Sequence, residues 1–553
     1  MIEKVLRIFS LPYKLFRYTL KPKYLFWKNS KLENSPLEKT FIEKLSRYKV
    51  GWQEDNKRVV LTQILEDHAV CIKLAATCHH LAIQSGSNVG LYSVHTKLED
   101  KTYRGNGLWD RIGVENYYRP LSTLFLSFAG KVMYRNVYDH RDQEKVRRVH
   151  REIRSKIFTK EDILKVNING ILVGDLLYDT FLRYGKTCTA DVKSPFLDNI
   201  IIESLNIFFN CEEIVSAYTI TALVNTYSTY IHHGIMLRIC LDRKIPVYTV
   251  GSANSLVHRV LKHYPSHSNN HFDFPSLFKN IEGKEAVLAQ SKSKLENRFL
   301  GKIDDATSFM KQSSYSSYRN EEIVKYDWPK TVVVLAHCFF DSPHIYRDLI
   351  FPDFYEWMTY TLDTLSKQKD LVVLVKPHPN GIEGNDQVFV ELQAKYRGQN
   401  VTFIDKRTSN IQLIESRPKA MITAYGTAGY EFAYHGIPVI CIYDNPFTAY
   451  HFTSTANSID EYGQLLRTID NIKIDERKDE ILEYYYMQHM FFMKGRDSNY
   501  MKISKYKGAT YSEDFLADFL PIMNDPYFEM LDLSIKEGLE LADWEYKQNK
   551  LVI

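Results

Sequence analysis

The sequence predicts an α/β protein of two Rossmann-like, doubly wound domains facing a cleft, followed by a helical C-terminal tail. Three observations predict it. A chain of 553 residues exceeds one compact core, since domains usually run to about 100–200 residues. Apolar runs of strand length alternate with helical periods, which implies parallel βαβ units. The alternation comes in two blocks, and between them, over 262–325, it lapses into a stretch rich in Ser, Asn and His.

In the first block Val59–Thr62 reads as a short buried strand, 66–85 as a helix and Val89–Val94 as a second strand. A loop with Gly105, Gly107 and Gly113 precedes a charged helix over 141–157. Ile214–Tyr218 then reads as a strand, 226–243 as a helix and Pro246–Val250 as a strand. The interruption, with His263, His267, His271 and the run Ser313–Tyr318, reads as a long, partly helical loop leading to a linker. The second block is more regular. Strands at Thr331–Leu335, Leu371–Val375, Val401–Ile404, Ala420–Ile422 and Pro438–Ile442 alternate with helices over 353–367, 387–397, 410–416 and 427–435, the pattern of a doubly wound sheet. The boundaries that follow are 1–50 for an N-terminal segment, 51–290 for the first domain, 291–328 for a linker, 329–475 for the second domain and 476–553 for a tail with a return path to the first.

Composition narrows the function classes. The chain is 44% hydrophobic and 25% charged, with a net charge of +4, too small an excess for the basic stripe of a nucleic-acid binder. No run is apolar and long enough to cross a bilayer. Seven scattered cysteines, mostly among apolar neighbours, read as reduced, buried thiols of a cytosolic protein rather than a disulfide framework. Cys78-His79-His80 lacks a second ligand pair at metal spacing and reads as helix packing. Residues 1–31 carry Lys4, Arg7, Lys14, Arg17, Lys21, Lys23, Lys28 and Lys31 against Glu3 alone, interleaved with Phe9, Phe16, Phe26 and Trp27. That mixture suits an anionic membrane surface, so the expected location is cytoplasmic and peripheral on an inner membrane.

Doubly wound sheets bind ligands beyond the carboxyl ends of their strands, and two motifs fall there. Lys376-Pro377-His378-Pro379 directly follows the strand Leu371–Val375; its prolines stiffen the loop, leaving Lys376 and His378 to face a phosphate. Two strands later, Thr423-Ala424-Tyr425-Gly426-Thr427-Ala428-Gly429-Tyr430-Glu431 sets small residues and a helix start after Ala420–Ile422. Free backbone N–H groups at such a start favour an anion. Thr423 and Thr427 add hydroxyls, Gly426 allows close approach, and Glu431 stands where a carboxylate takes a ribose diol.

These motifs, followed by Gly436-Ile437-Pro438-Val439, resemble those of the capsule-polysaccharide-synthesis glycosyltransferases, and are similar to the His-Pro and Ser/Thr motifs of bacterial sialyltransferases and Kdo transferases. The resemblance covers residues 330–445 well and the first domain only loosely. It implies a GT-B fold, with the nucleotide sugar on the second domain and the acceptor on the first. His378 and Thr427 are implied as contacts to the donor nucleotide, commonly CMP, with Lys376 and Pro379 beside them. Thr423 and Thr427 stand where serines are common, which preserves the hydroxyl chemistry.

The expected function is transfer of a sugar, a CMP-linked acidic sugar such as Kdo being favoured, to a bacterial surface polysaccharide or lipid-linked glycan. No metal and no further cofactor are expected, since no Asp-x-Asp motif stands out and donor departure can rest on Lys, His and backbone N–H groups. Val173–Asp179 holds the candidate catalytic residue, Asp175, as general base or nucleophile at a helix start. Asp179 and Arg183 follow one and two turns on, and Asp341 and His344 lie in a loop on the ligand side of the second sheet. A glycerol- or ribitol-phosphate transferase using a CDP-alditol, and a non-catalytic scaffold of a polysaccharide assembly complex, are the alternatives.

Overall fold

A computed structural model describes residues 53–94, 133–303 and 313–491, apart from the stretches 66–67, 251–256, 261–270, 316–317, 346–348, 380, 382–383, 444 and 473–476, together with positions 36, 39, 40, 43, 98, 514 and 517. The basic segment at 1–31, the glycine loop at 105–113, His263, His267 and nearly all of the chain beyond 491 lie outside the described residues.

The first domain is built on six strands. β1 (Arg58–Gln63) leads through helix α1 (His68–Ser85) to β2 (Asn88–Val94) and β3 (Met133–Val137). Helices α2 (Gln143–Arg154) and α3 (Lys160–Leu164) precede a two-residue hairpin, β4 (Asn167–Ile168) with β5 (Ile171–Leu172), and then α4 (Gly174–Gly185) and α5 (Pro195–Ala217). β6 (Thr219–Asn225), α6 (Ile231–Asp242), β7 (Val247–Val250) and β8 (Val257–Val260) complete it. The sheet order is β3-β2-β1-β6-β7-β8, parallel throughout except for the β7–β8 pair.

One sequence expectation fails here. Ile214–Tyr218 is the end of α5 rather than a strand. Buried Ile200, Ile201, Ser204, Leu205, Phe208, Cys211, Ile214 and Val215 repeat at helical spacing, and Pro195 at the first turn with Ser194 accepting from the Phe196 N–H (3.2 Å) starts the helix. The β-branched run at 214–215 imitates a strand only when its upstream periodicity is ignored.

The second domain begins earlier than the sequence suggests. Helices α7 (Phe274–Phe278) and α8 (Lys284–Phe299), with Tyr315 and Ile323, bury their apolar faces in the same core as the second sheet, so the end of the expected first domain and much of the expected linker belong to this domain. Its elements continue as β9 (Thr331–Leu335), α9 (Phe354–Leu365), β10 (Val372–Lys376), α10 (Asn385–Lys395), β11 (Val401–Phe403), α11 (Asn410–Glu415), β12 (Ala420–Ile422), α12 (Ala428–Tyr434), β13 (Val439–Ile442), β14 (Ser454–Ala456), α13 (Ile459–Arg467) and α14 (Lys478–His489). The sheet order is β11-β10-β9-β12-β13-β14, all parallel. Along β9, Val332 and Val334 enter one core and Val333 and Leu335 the other. Burial on both faces explains the unbroken apolar run. Helix α14 packs Ile481, Leu482 and Tyr484–Met487 into the core of the second domain, so the described part of the tail does not return to the first.

This is the GT-B architecture of two Rossmann-like sheets. The two domains meet through α4 and the loops after β9 and before α9. Asp353, the N-cap of α9, accepts from the Glu356 N–H (2.8 Å) with one oxygen and from Tyr178 Oη and Thr189 Oγ1 (2.6 Å each) with the other. Lys160 pairs with Glu356 beside it.

Candidate functional site

The chain leaves β9 outward to β10 and β11, then returns to the other side of β9 as β12. The crevice between β9 and β12 is therefore the topological switch point, where such sheets take ligands. His337, two residues past β9, sits there. Its Nε2 lies 3.2 Å from Thr423 Oγ1 and accepts from the Tyr425 N–H at 3.4 Å, and its ring stacks on Phe354 at 4.6 Å. Burial, and then the neighbouring His378, push it down to about 3, so it is a neutral imidazole. Thr423 Oγ1 also accepts from the Gly426 N–H (3.3 Å), and a Cβ on Gly426 would lie 3.0 Å from that oxygen. The turn is thus closed over a threonine and a histidine from adjacent strand ends.

Lys376 ends β10, buried, with its ammonium donating to Asn410 Oδ1 at the start of α11 (2.5 Å). Burial pulls it down to about 7, against the opposing charges of Glu431 and Asp405. His378, part-buried between Pro377 and Pro379, is also pulled down, by burial and then by Lys376, with Asp341 opposing. Within the Lys-Pro-His-Pro motif Lys376 is thus buried at the end of β10, and His378 is half-buried in the loop that follows.

The structure reassigns Glu431. One oxygen is ion-paired with Arg298 of α8 (2.7 Å), the other accepts from Tyr315 Oη (2.6 Å), and the side chain is buried. It holds protein groups on both oxygens and does not present itself to a ribose. Arg298 Nη2 also donates to Thr427 Oγ1 (3.2 Å). Gly429 serves packing: a Cβ there would lie 2.5 Å from the Phe447 ring.

Across the junction, Asp175 is engaged on both oxygens by Arg238 of α6, at 2.6 and 2.5 Å. Burial alone would raise this carboxyl, but the guanidinium keeps it below the ordinary range. A carboxylate so clamped is a weak base, and the geometry does not favour the catalytic role expected for it. One turn on, Asp179 accepts from His344 Nδ1 at 2.6 Å, both side chains being buried. Burial pushes Asp179 up to about 6. His344 is raised in turn by Asp179, with Asp175 and Asp353 adding to it, despite the opposing effect of burial. His344 Nε2 is buried and, among the described residues, has no hydrogen-bond partner. Asp341 lies exposed in the same loop, 3.4 Å from Tyr230 Oη. Tyr230 caps α6 at φ 63 and ψ 157, a conformation that costs a side-chain-bearing residue about 1–3 kcal/mol and clusters at functional sites. Arg183 is exposed at the far end of α4, its charge felt by Tyr230.

The structure therefore brings Lys376, His378, Thr423, Gly426 and Thr427 to one edge of the second sheet, and Asp179, His344 and Asp341 to the junction beside it. The sequence puts His337 at the head of the ligand-side loop that carries Asp341 and His344 but marks no role for it, and it does not single out Asn410 or Arg298. A histidine two residues past a strand was a usable signal for the first, whereas Arg298 lies 78 residues before Lys376 on a helix assigned to no sheet.

No family model matches the chain, and no curated protein matches it. Among solved structures it is similar to the beta Kdo 2,4 transferase KpsC of Thermosulfurimonas dismutans, at 13% identity over 48% of this chain and 79% of that one, with a TM-score of 0.31. It is also similar to the sucrose-phosphate synthase of Thermosynechococcus elongatus, at 10% identity over 79% and 96% of the two chains, TM-score 0.29. The UDP-GlcNAc 2-epimerase of Methanocaldococcus jannaschii matches at 12% identity over 78% and 98%, TM-score 0.22.

Proposed function

We propose that this chain is a glycosyltransferase whose nucleotide sugar seats on the second domain. The observation that carries the reading is the convergence of His337, His378, Thr423 and the Gly426–Thr427 turn at the β9–β12 switch point, facing Asp179 and Tyr230 of the first domain. Neutral imidazoles, hydroxyls and backbone N–H groups suit a nucleotide and its phosphates. The sequence resemblance favours a CMP-linked acidic sugar as donor and a surface or lipid-linked glycan as acceptor, with the enzyme working at the cytoplasmic face of a membrane.

Sugar transfer also requires that an acceptor hydroxyl lose its proton. Asp179–His344 is better suited than Asp175. Asp179 orients the imidazole through Nδ1, which leaves Nε2 as the proton acceptor.

Thermal unfolding with CMP, CDP, UDP, GDP and ADP, on the wild type and on His378→Ala, tests the donor site. A ligand bound only by the native state at 100 times its Kd stabilises by about 2.7 kcal/mol. Cytidine nucleotides are expected to raise Tm in the wild type and not in His378→Ala. The absence of any shift in the wild type would end the reading, and is what a scaffold would give.

A further inference from the structure

Tyr230 is held in a backbone conformation that side-chain-bearing residues avoid. At φ 63 and ψ 157 it lies in a region left almost entirely to glycine, and such strain persists only where the surrounding structure over-determines it. Here both flanks are pinned. Asn225, at the end of β6, donates its amide to the Tyr227 carbonyl (2.6 Å) and accepts from the Thr226 N–H (2.8 Å). On the other flank the Ile231 N–H donates to Thr180 Oγ1 of α4 (3.1 Å). Gly234 lets α6 close on the loop, since a Cβ there would lie 2.5 Å from the Ser228 carbonyl oxygen. The ring is set beside Tyr184 and His232, with centroids at 6.1 and 5.8 Å, and its hydroxyl reaches Asp341 across the domain junction. Asp341 Oδ1 also accepts from the Ser342 N–H (3.0 Å), and no hydrogen bond among the described residues reaches Oδ2. A 3.4 Å contact to an exposed carboxylate recovers little of the strain.

We propose that Tyr230 and Asp341 form a hydroxyl-binding subsite across the domain junction, which takes a pyranose ring of the acceptor glycan. A carboxylate with a free oxygen accepts from the hydroxyls of a sugar, and the loosely engaged phenol turns to another as donor or acceptor. Both residues stand beside the Asp179–His344 pair. Asp341 lies three residues before His344 in the loop after β9, and Ile231, next to Tyr230, is tied to Thr180, next to Asp179. The acceptor is the sugar in question because Tyr230, Tyr184 and His232 belong to the first domain, across the junction from the nucleotide edge. This rests on the glycosyl-transfer reading above and names two side chains that recognise its acceptor. The strain is the cost of presenting Tyr230 to the second domain.

Two measurements test it. In urea, Tyr230→Gly is expected to unfold at a higher midpoint than Tyr230→Ala, because alanine keeps the Cβ that this conformation strains against. The reverse order, alanine above glycine, removes the strain and overturns the proposal. Saturation-transfer NMR on the full chain, with CMP present, reads the binding of the methyl glycosides of glucose, galactose, N-acetylglucosamine and Kdo. At least one is expected to bind the wild type, and to lose about tenfold in affinity in Asp341→Asn and about threefold in Tyr230→Phe. Nucleotide affinity should be unchanged in both variants. If no glycoside binds the wild type, or both variants bind it equally well, the proposal falls. The nucleotide panel above then separates the cases: a Tm shift with any nucleotide leaves the donor site standing, and none removes the reading beneath as well. If the variants weaken binding of CMP-Kdo but of no glycoside, the pair belongs to the donor's sugar and the acceptor assignment is overturned.

Discussion

His344 of the second domain donates Nδ1–H to Asp179 of the first at 2.6 Å, joining the loop after β9 to the helix that sequence reasoning had singled out for Asp175. The contact ties the two sheets together and leaves a single imidazole nitrogen uncommitted. His344→Asn keeps a donor close to the position of Nδ1 but deletes Nε2. It is expected to bind nucleotide normally and to lose turnover by about 100-fold or more. Nucleotide binding and turnover are measured on the same preparation; wild-type turnover would reduce the pair to a domain contact.

The same pair sets a pH dependence. His344 is raised above its ordinary 6.5, so the neutral imidazole needed to accept a proton forms only as pH climbs through that raised value, and turnover should rise along this limb. Asp179→Asn keeps an acceptor for Nδ1 but removes the charge that raises His344. The limb should then move to lower pH, which a profile of kcat from pH 5 to 9 will show. An unmoved limb assigns the titration to another group.

Asp175 is expected to matter for stability more than for chemistry. Asp175→Asn leaves the buried Arg238 without its counter-charge, and breaking such a pair costs about 3–5 kcal/mol. Urea unfolding should show a fall of that order, with turnover per folded molecule largely retained. A stable Asp175→Asn protein without turnover would restore Asp175 as the base.

Lys376 sets stability against function. Its folded value of about 7 lies below the roughly 10.4 of an unfolded lysine. Between those limits the unfolded chain binds more protons, so the penalty of burying the amine is full below pH 7 and fades as pH rises. Lys376→Met should therefore raise Tm most near pH 6, show little gain near pH 10, and abolish the stabilisation by CMP or CDP. A destabilised Lys376→Met at pH 6 would contradict the sign.

Gly426 and Gly429 look alike in the sequence but should fail differently. Gly429→Ala drives a methyl to 2.5 Å from the Phe447 ring, overpacking that typically costs about 1–3 kcal/mol, and its main effect should be a lower Tm. Gly426→Ala meets the Thr423 hydroxyl at 3.0 Å, and should weaken nucleotide affinity more than it lowers Tm. Comparing both quantities for both variants checks the division.

The second sheet is legible in the local pattern nearly element by element. Its strands are buried on both faces, so each appears as an unbroken apolar run, and its ligand edge follows from where those runs stop. That placed Lys376, His378, Thr423 and Thr427 at one edge without coordinates. Local patterning cannot tell which charges neutralise one another, because pairing depends on distances between residues far apart in the chain. Only the tertiary structure turned Glu431 toward Arg298, clamped Asp175 with Arg238, and set Asp179 against His344 across 165 residues. It also drew the segment from Phe274 to Ile323 into the second domain, because α7 and α8 bury their apolar faces against α14, a partner that no local period reveals.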